Sequence, residues 1–316
     1  KQKTAYEIRL SLVGSEMCIR DRPRHPTDIG DRRKADSYQV EANFYEQLVP
    51  TLGPNVNLPR TFHVEHLPQN EIIICMSYIE SGRRRDFPHL ESTENYNQAV
   101  LDWLASLHAS YWGKEAVDEV VERVGLQPQG TYWYLDTRPE EHAKMSDKGW
   151  EGRLKLAARA IDLRLREDKY QCLIHGDAKD ANVILSEQGE IVMCDFQYCG
   201  KGSPAKDLAY FLCTEVEGDP IKERAYLQYY LQQLQFHLNK YIHDNPTPNN
   251  NIPSLDELQE SLDLAYCDFC RFMCGWGFWG GDLSSKVIPV LNRLDGGTNL
   301  GSEEAYIEAM EREYGV

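Results

Sequence analysis

Three oxygen-bearing side chains stand where a hairpin would bring them together. Cys172, Leu173 and Ile174 are apolar and lead to His175. A polar loop of Gly176, Asp177, Ala178, Lys179 and Asp180 follows, and a second apolar run starts at Val183. Glu187, Gln188 and Gly189 read as a turn, with the return strand running to Cys194. If Ser186 pairs with Glu190 across that turn, Asn182 falls opposite Cys194, and Asp195 lies diagonally beside Asn182. Asp177 sits in the loop just ahead. One amide and two carboxylates therefore converge at the open end of the hairpin. That donor set suits a hard cation such as Mg²⁺, which takes one or two such ligands together with phosphate oxygens. Loop Asp and Asn residues also cap turns, so Asp177, Lys179, Asn182 and Asp195 carry the reading together and none carries it alone.

Positioning these groups requires a sizeable core, and the chain can build one. It has 316 residues, 41% of them hydrophobic, enough for one large domain or two lobes. Its mean hydropathy of -0.56 and short apolar runs predict no transmembrane helix, and no membrane partner is expected. Glu7, Arg9, Glu16, Arg20 and Asp21 interrupt any apolar signal-peptide segment at the front. Nine scattered cysteines suit a reducing cytosol, so a cytoplasmic location is expected. The net charge of -16 argues against nucleic acid as a partner.

Taken in order, residues 11–22 resemble translated sequencing-adapter sequence, and residues 1–22 are read as a non-native segment outside the fold. A helix is expected from Asp36, with Tyr38, Glu41, Tyr45 and Leu48 on one stripe. Glu41 is a carboxylate on an otherwise apolar face and needs a cationic partner. Strands are expected over 61–64 and 72–76, the second with the continuous apolar character of a buried strand. Helices follow over 94–111, 152–167 and 219–242. Ser203 and Pro204 form an N-cap and first-turn pair, with Asp207 near the start of their helix. Ser254 and Glu257 make a capping box for a last long helix to about Trp279. On it Cys267, Cys270 and Cys274 share one face, where packing is the simpler reading than a metal site.

The spacing of Asp177, Lys179 and Asn182, with Asp195 on a following strand, is that of a kinase catalytic loop and its metal-binding aspartate. His175-Gly176-Asp177, with Asp195-Phe196-Gln197 in place of Asp-Phe-Gly, resembles the kinases of small molecules rather than of proteins. No Ala-Pro-Glu follows it. The chain resembles the aminoglycoside phosphotransferase and choline kinase superfamily, and within it the ecdysteroid-kinase-like (CHK kinase-like) branch. Tyr132-Trp133-Tyr134-Leu135-Asp136-Thr137-Arg138-Pro139 and Lys206-Asp207-Leu208-Ala209-Tyr210-Phe211 carry the likeness further.

The resemblance implies an α+β, protein-kinase-like two-lobe fold. A truncated N-terminal lobe would span 23–79, and a mostly helical catalytic and substrate lobe 80–316. It implies ATP-dependent phosphorylation of a hydroxyl on a small molecule. Asp177 would position the hydroxyl and take its proton, and Lys179 would offset charge on the transferred group. Asn182 and Asp195 would hold Mg²⁺. Glu41 would hold the lysine that grips the nucleotide phosphates. Met76, Ser77, Tyr78 and Ile79 would receive adenine, although Ser77 and Tyr78 stand where acidic residues are usual. His175 and Asp207 would brace the loop, while Arg271, Trp276 and Trp279 would contact the acceptor. No lysine on a strand ahead of Glu41 fills the partner's place: Lys1 and Lys3 follow no apolar run, and Lys34 lies too near the helix. A glycine-rich turn is missing too. An incomplete nucleotide site is therefore expected, and the alternative function is a catalytically impaired scaffold that binds nucleotide or ligand.

Overall fold

The computed structural model describes residues 16–21, 29–68, 71–215, 219–242, 251–277 and 283–315. Strand β1 (Glu16–Asp21) and helix α1 (Ile29–Asn43) come first, and α1 runs on into a wider π turn, Phe44–Leu48. Strands β2 (Thr61–Leu67) and β3 (Glu71–Ser77) follow. β3 is the central strand of an antiparallel sheet, order β1-β3-β2. Its alternation places Ile72, Ile74 and Met76 in the core. The front stretch read as adapter-derived thus contributes a strand, with Glu16 opposite Ser77 and Asp21 opposite Ile72. Backbone groups make such a ladder whatever the side chains, and the open edge of a buried strand accepts one readily.

Helices α2 (Thr93–Ser110), α3 (Lys114–Val124), α4 (Pro139–Lys144) and α5 (Gly149–Arg166) lead to the strand ahead of the polar loop, β4 (Cys172–Ile174). Strands β5 (Val183–Leu185) and β6 (Ile191–Met193) form a hairpin, and β7 (Gly200–Gly202) pairs back with β4. Helices α6 (Ala205–Glu215), α7 (Pro220–Ile242), α8 (Leu255–Trp276), α9 (Ser284–Asp295) and α10 (Glu303–Tyr314) complete the helical part. The capping box of Ser254 and Glu257 is present at the start of α8. Among the described residues no helix is long and apolar enough to cross a membrane.

The first helix begins at Ile29 rather than Asp36. Its expected stripe holds: Tyr38, Glu41, Tyr45 and Leu48 are all buried. Phe44, three residues after Glu41 and four before Leu48, is buried on the same face. Phe44 then stacks on Phe196 with ring centroids 3.8 Å apart and planes 8° from parallel. That contact joins the first helix to the segment just after β6.

Candidate active site

The hairpin has the expected register. Val183 lies opposite Met193, the Ser186 N–H donates to the Glu190 carbonyl, and the Cys194 N–H donates to the Asn182 carbonyl at 3.1 Å. Ahead of it, the chain turns at Gly176 with φ +83°. A Cβ there would lie 2.1 Å from the Tyr198 carbonyl oxygen and 2.9 Å from the Thr131 nitrogen, so only glycine fits. This packing turns the Asp177 side chain back toward the hairpin. Lys179 Nζ donates to Asp177 Oδ2 at 2.6 Å, and Asn182 Nδ2 donates to the same oxygen at 3.0 Å and to the Asp177 carbonyl at 2.8 Å. Asp177 is 3% exposed. Burial pushes its carboxyl up to about 7, and the charge of nearby Asp195 adds to this, while Lys179 and Asn182 pull the other way.

Asp195 has φ +69°, a left-handed conformation that an aspartate tolerates better than most residues. Its neighbours hold it there. Phe196 is fully buried between Phe44 and His175, the latter with ring centroids 4.5 Å apart. The Phe196 N–H donates to Glu41 Oε1 and Gln197 Nε2 donates to Glu41 Oε2, both at 3.3 Å. The Ser37 hydroxyl reaches Gln197 Oε1, also at 3.3 Å. Glu41 therefore holds the turn that carries Asp195. Among the described residues, Asp177 Oδ1 and Asp195 Oδ1 are buried without a hydrogen-bond partner.

A second set of contacts fixes the loop from below. Asp207 accepts from the His175 N–H at 2.7 Å, the Gly176 N–H at 2.9 Å and His108 Nε2 at 3.1 Å, and His108 Nδ1 meets the Tyr230 hydroxyl at 2.8 Å. Burial alone would raise the Asp207 carboxyl. The hydrogen bond and charge of His108 outweigh it and hold the group below its ordinary value. His175 Nδ1 accepts the Asp177 N–H at 3.2 Å, so its proton sits on Nε2 and is donated to the Cys194 carbonyl at 3.1 Å. Burial holds this imidazole below its usual value, hence neutral at pH 7.

A model of the phosphotransferase enzyme family matches residues 17–241. The chain belongs to that family. The match takes in β1, the Glu41 helix, the loop of Asp177 and the brace of Asp207. The expected α+β make-up with a mostly helical C-terminal part is the one found. Solved structures similar to the chain include an aminoglycoside-3'-phosphotransferase of type VIII, 16% identical, with 81% of this chain and 84% of that one covered and a TM-score of 0.48. A microcompartment-associated aminopropanol kinase is 16% identical, with 94% and 85% covered and a TM-score of 0.49. The choline kinase LicA from Streptococcus pneumoniae is 14% identical, with 91% and 88% covered and a TM-score of 0.47. No curated protein matches the chain.

The remaining expected site residues fall into two groups. Met76 is buried at the end of β3. Ser77 accepts the Arg60 N–H on its hydroxyl, and Tyr78 is 45% exposed. The segment with Ile79 then runs toward the hairpin, where Gly82 N–H donates to the Leu185 carbonyl. Arg271 is fully buried, and its guanidinium pairs with Asp268 and donates to the Trp133 carbonyl. An arginine on a helix buried on nearly all sides needs an internal carboxylate, and Asp268 supplies it. Trp276 is 53% exposed and tilts against Phe272. Trp279 lies outside the described residues.

Sequence reasoning missed His108, which lies four residues after buried Leu104 on the apolar stripe of α2. A polar ring on such a stripe is itself the signal that a buried partner exists. The Tyr132 and Tyr210 hydroxyls, in the two stretches that carry the family likeness, lie 3.2 Å apart. Burial raises both; the Tyr210 hydrogen bond opposes this at Tyr132, and neighbouring Tyr132 and then Asp177 add to it at Tyr210.

Proposed function

We propose that this chain transfers the γ-phosphoryl group of ATP to a hydroxyl of a small molecule, and that it falls in the ecdysteroid-kinase-like branch of its family. The reading rests on one observation above the rest: a buried carboxylate, Asp177, held by Lys179 and Asn182 and raised to a value at which it can exchange a proton near neutrality. In the reaction, the acceptor oxygen forms a bond to the γ-phosphorus as the bond from that phosphorus to its bridging oxygen breaks. The hydroxyl proton goes to Asp177, and ADP leaves. Lys179, 34% exposed at its side chain, offsets charge on the group in transit. Most of the rate would come from positioning and electrostatics.

The donor set fits a divalent cation. Two buried carboxylate oxygens, on Asp177 and Asp195, lack hydrogen-bond donors among the described residues. An oxygen-binding cation satisfies such groups. Asn182 and Asp195 would hold Mg²⁺, which draws charge from the phosphate oxygens when bound. Residues 23–79 would form the nucleotide-facing front lobe, with Met76, Ser77, Tyr78 and Ile79 at adenine. Residues 80–316 would form the catalytic and acceptor lobe. The cysteines from Cys75 to Cys274 are free thiols, which suits the cytoplasm.

The test is a panel of hydroxylated small molecules with radiolabelled Mg-ATP, run beside Asp177→Asn. Phosphorylated product is expected from the wild-type chain, with turnover about 10²- to 10⁴-fold lower in the variant and nucleotide affinity nearly unchanged. Nucleotide binding without transfer to any acceptor would leave only the scaffold reading. Variant turnover within a few-fold of wild type would remove Asp177 from its role.

A further inference from the structure

Arg138 stands in an unusual setting. Its guanidinium lies over the rings of Tyr132, Phe272 and Trp276, at 5.5, 5.4 and 5.8 Å from their centroids. Nε donates to the Tyr132 carbonyl at 2.5 Å. The counter-charge it has, Glu141, is 3.8 Å away, too far for a hydrogen bond. Among the described residues, Nη1 and Nη2 make no hydrogen bond, and the side chain is only 11% exposed. A second cation crowds it: Arg33 donates to the carbonyl of neighbouring Thr137. Burial, then the charge of Arg33, hold the Arg138 guanidinium below its ordinary value. Two guanidinium groups thus face one carboxylate.

This cluster adjoins the catalytic loop through Tyr132. Thr131 packs its backbone against Gly176, one residue before Asp177. The Tyr132 ring lies 5.5 Å from that of Tyr198 and 5.2 Å from that of Phe272. Aromatic faces can hold a cationic ligand, but here a guanidinium of the protein already occupies three of them. A second cation would meet repulsion. An oxyanion would find largely desolvated donors in the fork that binds carboxylates best.

We infer that the acceptor is a hydroxylated oxyanion, such as a carboxylate with an aromatic or flat apolar body, whose charged end is taken by Arg138 and whose body lies against the exposed part of the Trp276 ring. The inference rests on the phosphotransfer reading only for what happens to the hydroxyl. Amino alcohols and other cationic acceptors are disfavoured.

Three probes of one shape test it: 4-(hydroxymethyl)benzoate, its neutral amide, and 4-(hydroxymethyl)benzylamine. Binding is measured by calorimetry, and turnover separately with labelled ATP. The benzoate is expected to bind best and the amine worst. Arg138→Met should cut the benzoate-to-amide affinity ratio by about 10- to 150-fold, the loss of one charge-assisted contact. Arg138→Lys should retain part of the ratio. A merely structural arginine would weaken all three probes alike and leave the ratio unchanged, which overturns the inference. So does preference for the amine, or no binding of the benzoate. Benzoate binding with the expected ratio, but no phosphorylation of any probe or other acceptor, would support the inference and overturn the phosphotransfer reading alone.

Discussion

Asp207→Asn keeps the size of the side chain and removes its charge, which makes it the sharpest perturbation of the loop. The wild-type carboxylate is fully buried and accepts three hydrogen bonds, from the His175 and Gly176 N–H groups and from His108. An amide offers one oxygen and one NH₂. If the oxygen stays with His175 and His108, the NH₂ is driven against the Gly176 N–H, donor to donor. That buried N–H is left unsatisfied, at about 1–3 kcal/mol, and the two surviving bonds lose their charge assistance at roughly 1 kcal/mol each. The sum is about 3–5 kcal/mol, a fall in Tm on the order of 10 °C for a chain of this size. Urea unfolding followed by tryptophan fluorescence and by circular dichroism measures it. The pH dependence sharpens the test. The folded carboxyl is held below its ordinary value, so on acidification the unfolded chain takes up this proton first. The stabilisation is then complete above about pH 5 and is lost as pH falls through the folded value. The gap between wild type and variant should stay constant from pH 8 to 5 and narrow below about pH 4. A loss under about 1 kcal/mol at pH 7, or a gap that narrows on the alkaline side instead, would refute the account of this brace.

Two further outcomes are expected. Asp195→Ala should weaken Mg-dependent ATP binding more than Asn182→Ala, because a carboxylate supplies a full charge and an amide only a dipole; ATP titrations at several Mg²⁺ concentrations would count against this if the Asp195 variant kept the wild-type dependence. Glu41→Ala removes the acceptor for the buried Phe196 N–H and should cost about 1–3 kcal/mol in urea unfolding, with a loss below about 0.5 kcal/mol showing that the turn at Asp195 does not depend on it.

Much of the site was legible because short-range geometry governs it. The alternating hairpin with a Gly189 turn has one good register, and that register fixes Asn182 against Cys194. The bracing role of Asp207 came from the family likeness instead, because its partners, the His175 and Gly176 N–H groups, lie some thirty positions earlier in the chain. The surroundings of Arg271 were not legible, because they come in part from other stretches of the chain. Interleaved charge and aromatics on a helix look like a binding face, but α8 is enclosed on nearly every side, and Asp268 three residues earlier turns the arginine inward. Arg138 was passed over for the converse reason. Tyr132 and Glu141 are near it in sequence, but the other two rings, Phe272 and Trp276, lie more than 130 positions away. Glu41 was seen to need a partner, and the partners found for it include a backbone N–H, a group that side-chain reasoning does not search.

These contacts make the base loop and the turn of Asp195 one unit. From one side, Glu41 and Ser37 on α1 hold Gln197, and Glu41 holds the Phe196 N–H. From the other, Tyr230 orients His108, His108 orients Asp207, and Asp207 holds His175. The two chains meet at the Phe196 and His175 rings, and again where His175 donates to the Cys194 carbonyl, one residue before Asp195. A left-handed aspartate costs of order 1 kcal/mol and persists only where its surroundings over-determine it. Here they do so from both directions. The consequence is that Asp177 and Asp195 cannot be displaced independently. A movement of α1 that shifts Phe196 must also shift His175, whose Nδ1 accepts the Asp177 N–H. Geometry at Asp177 is thereby tied to the helix that carries Glu41.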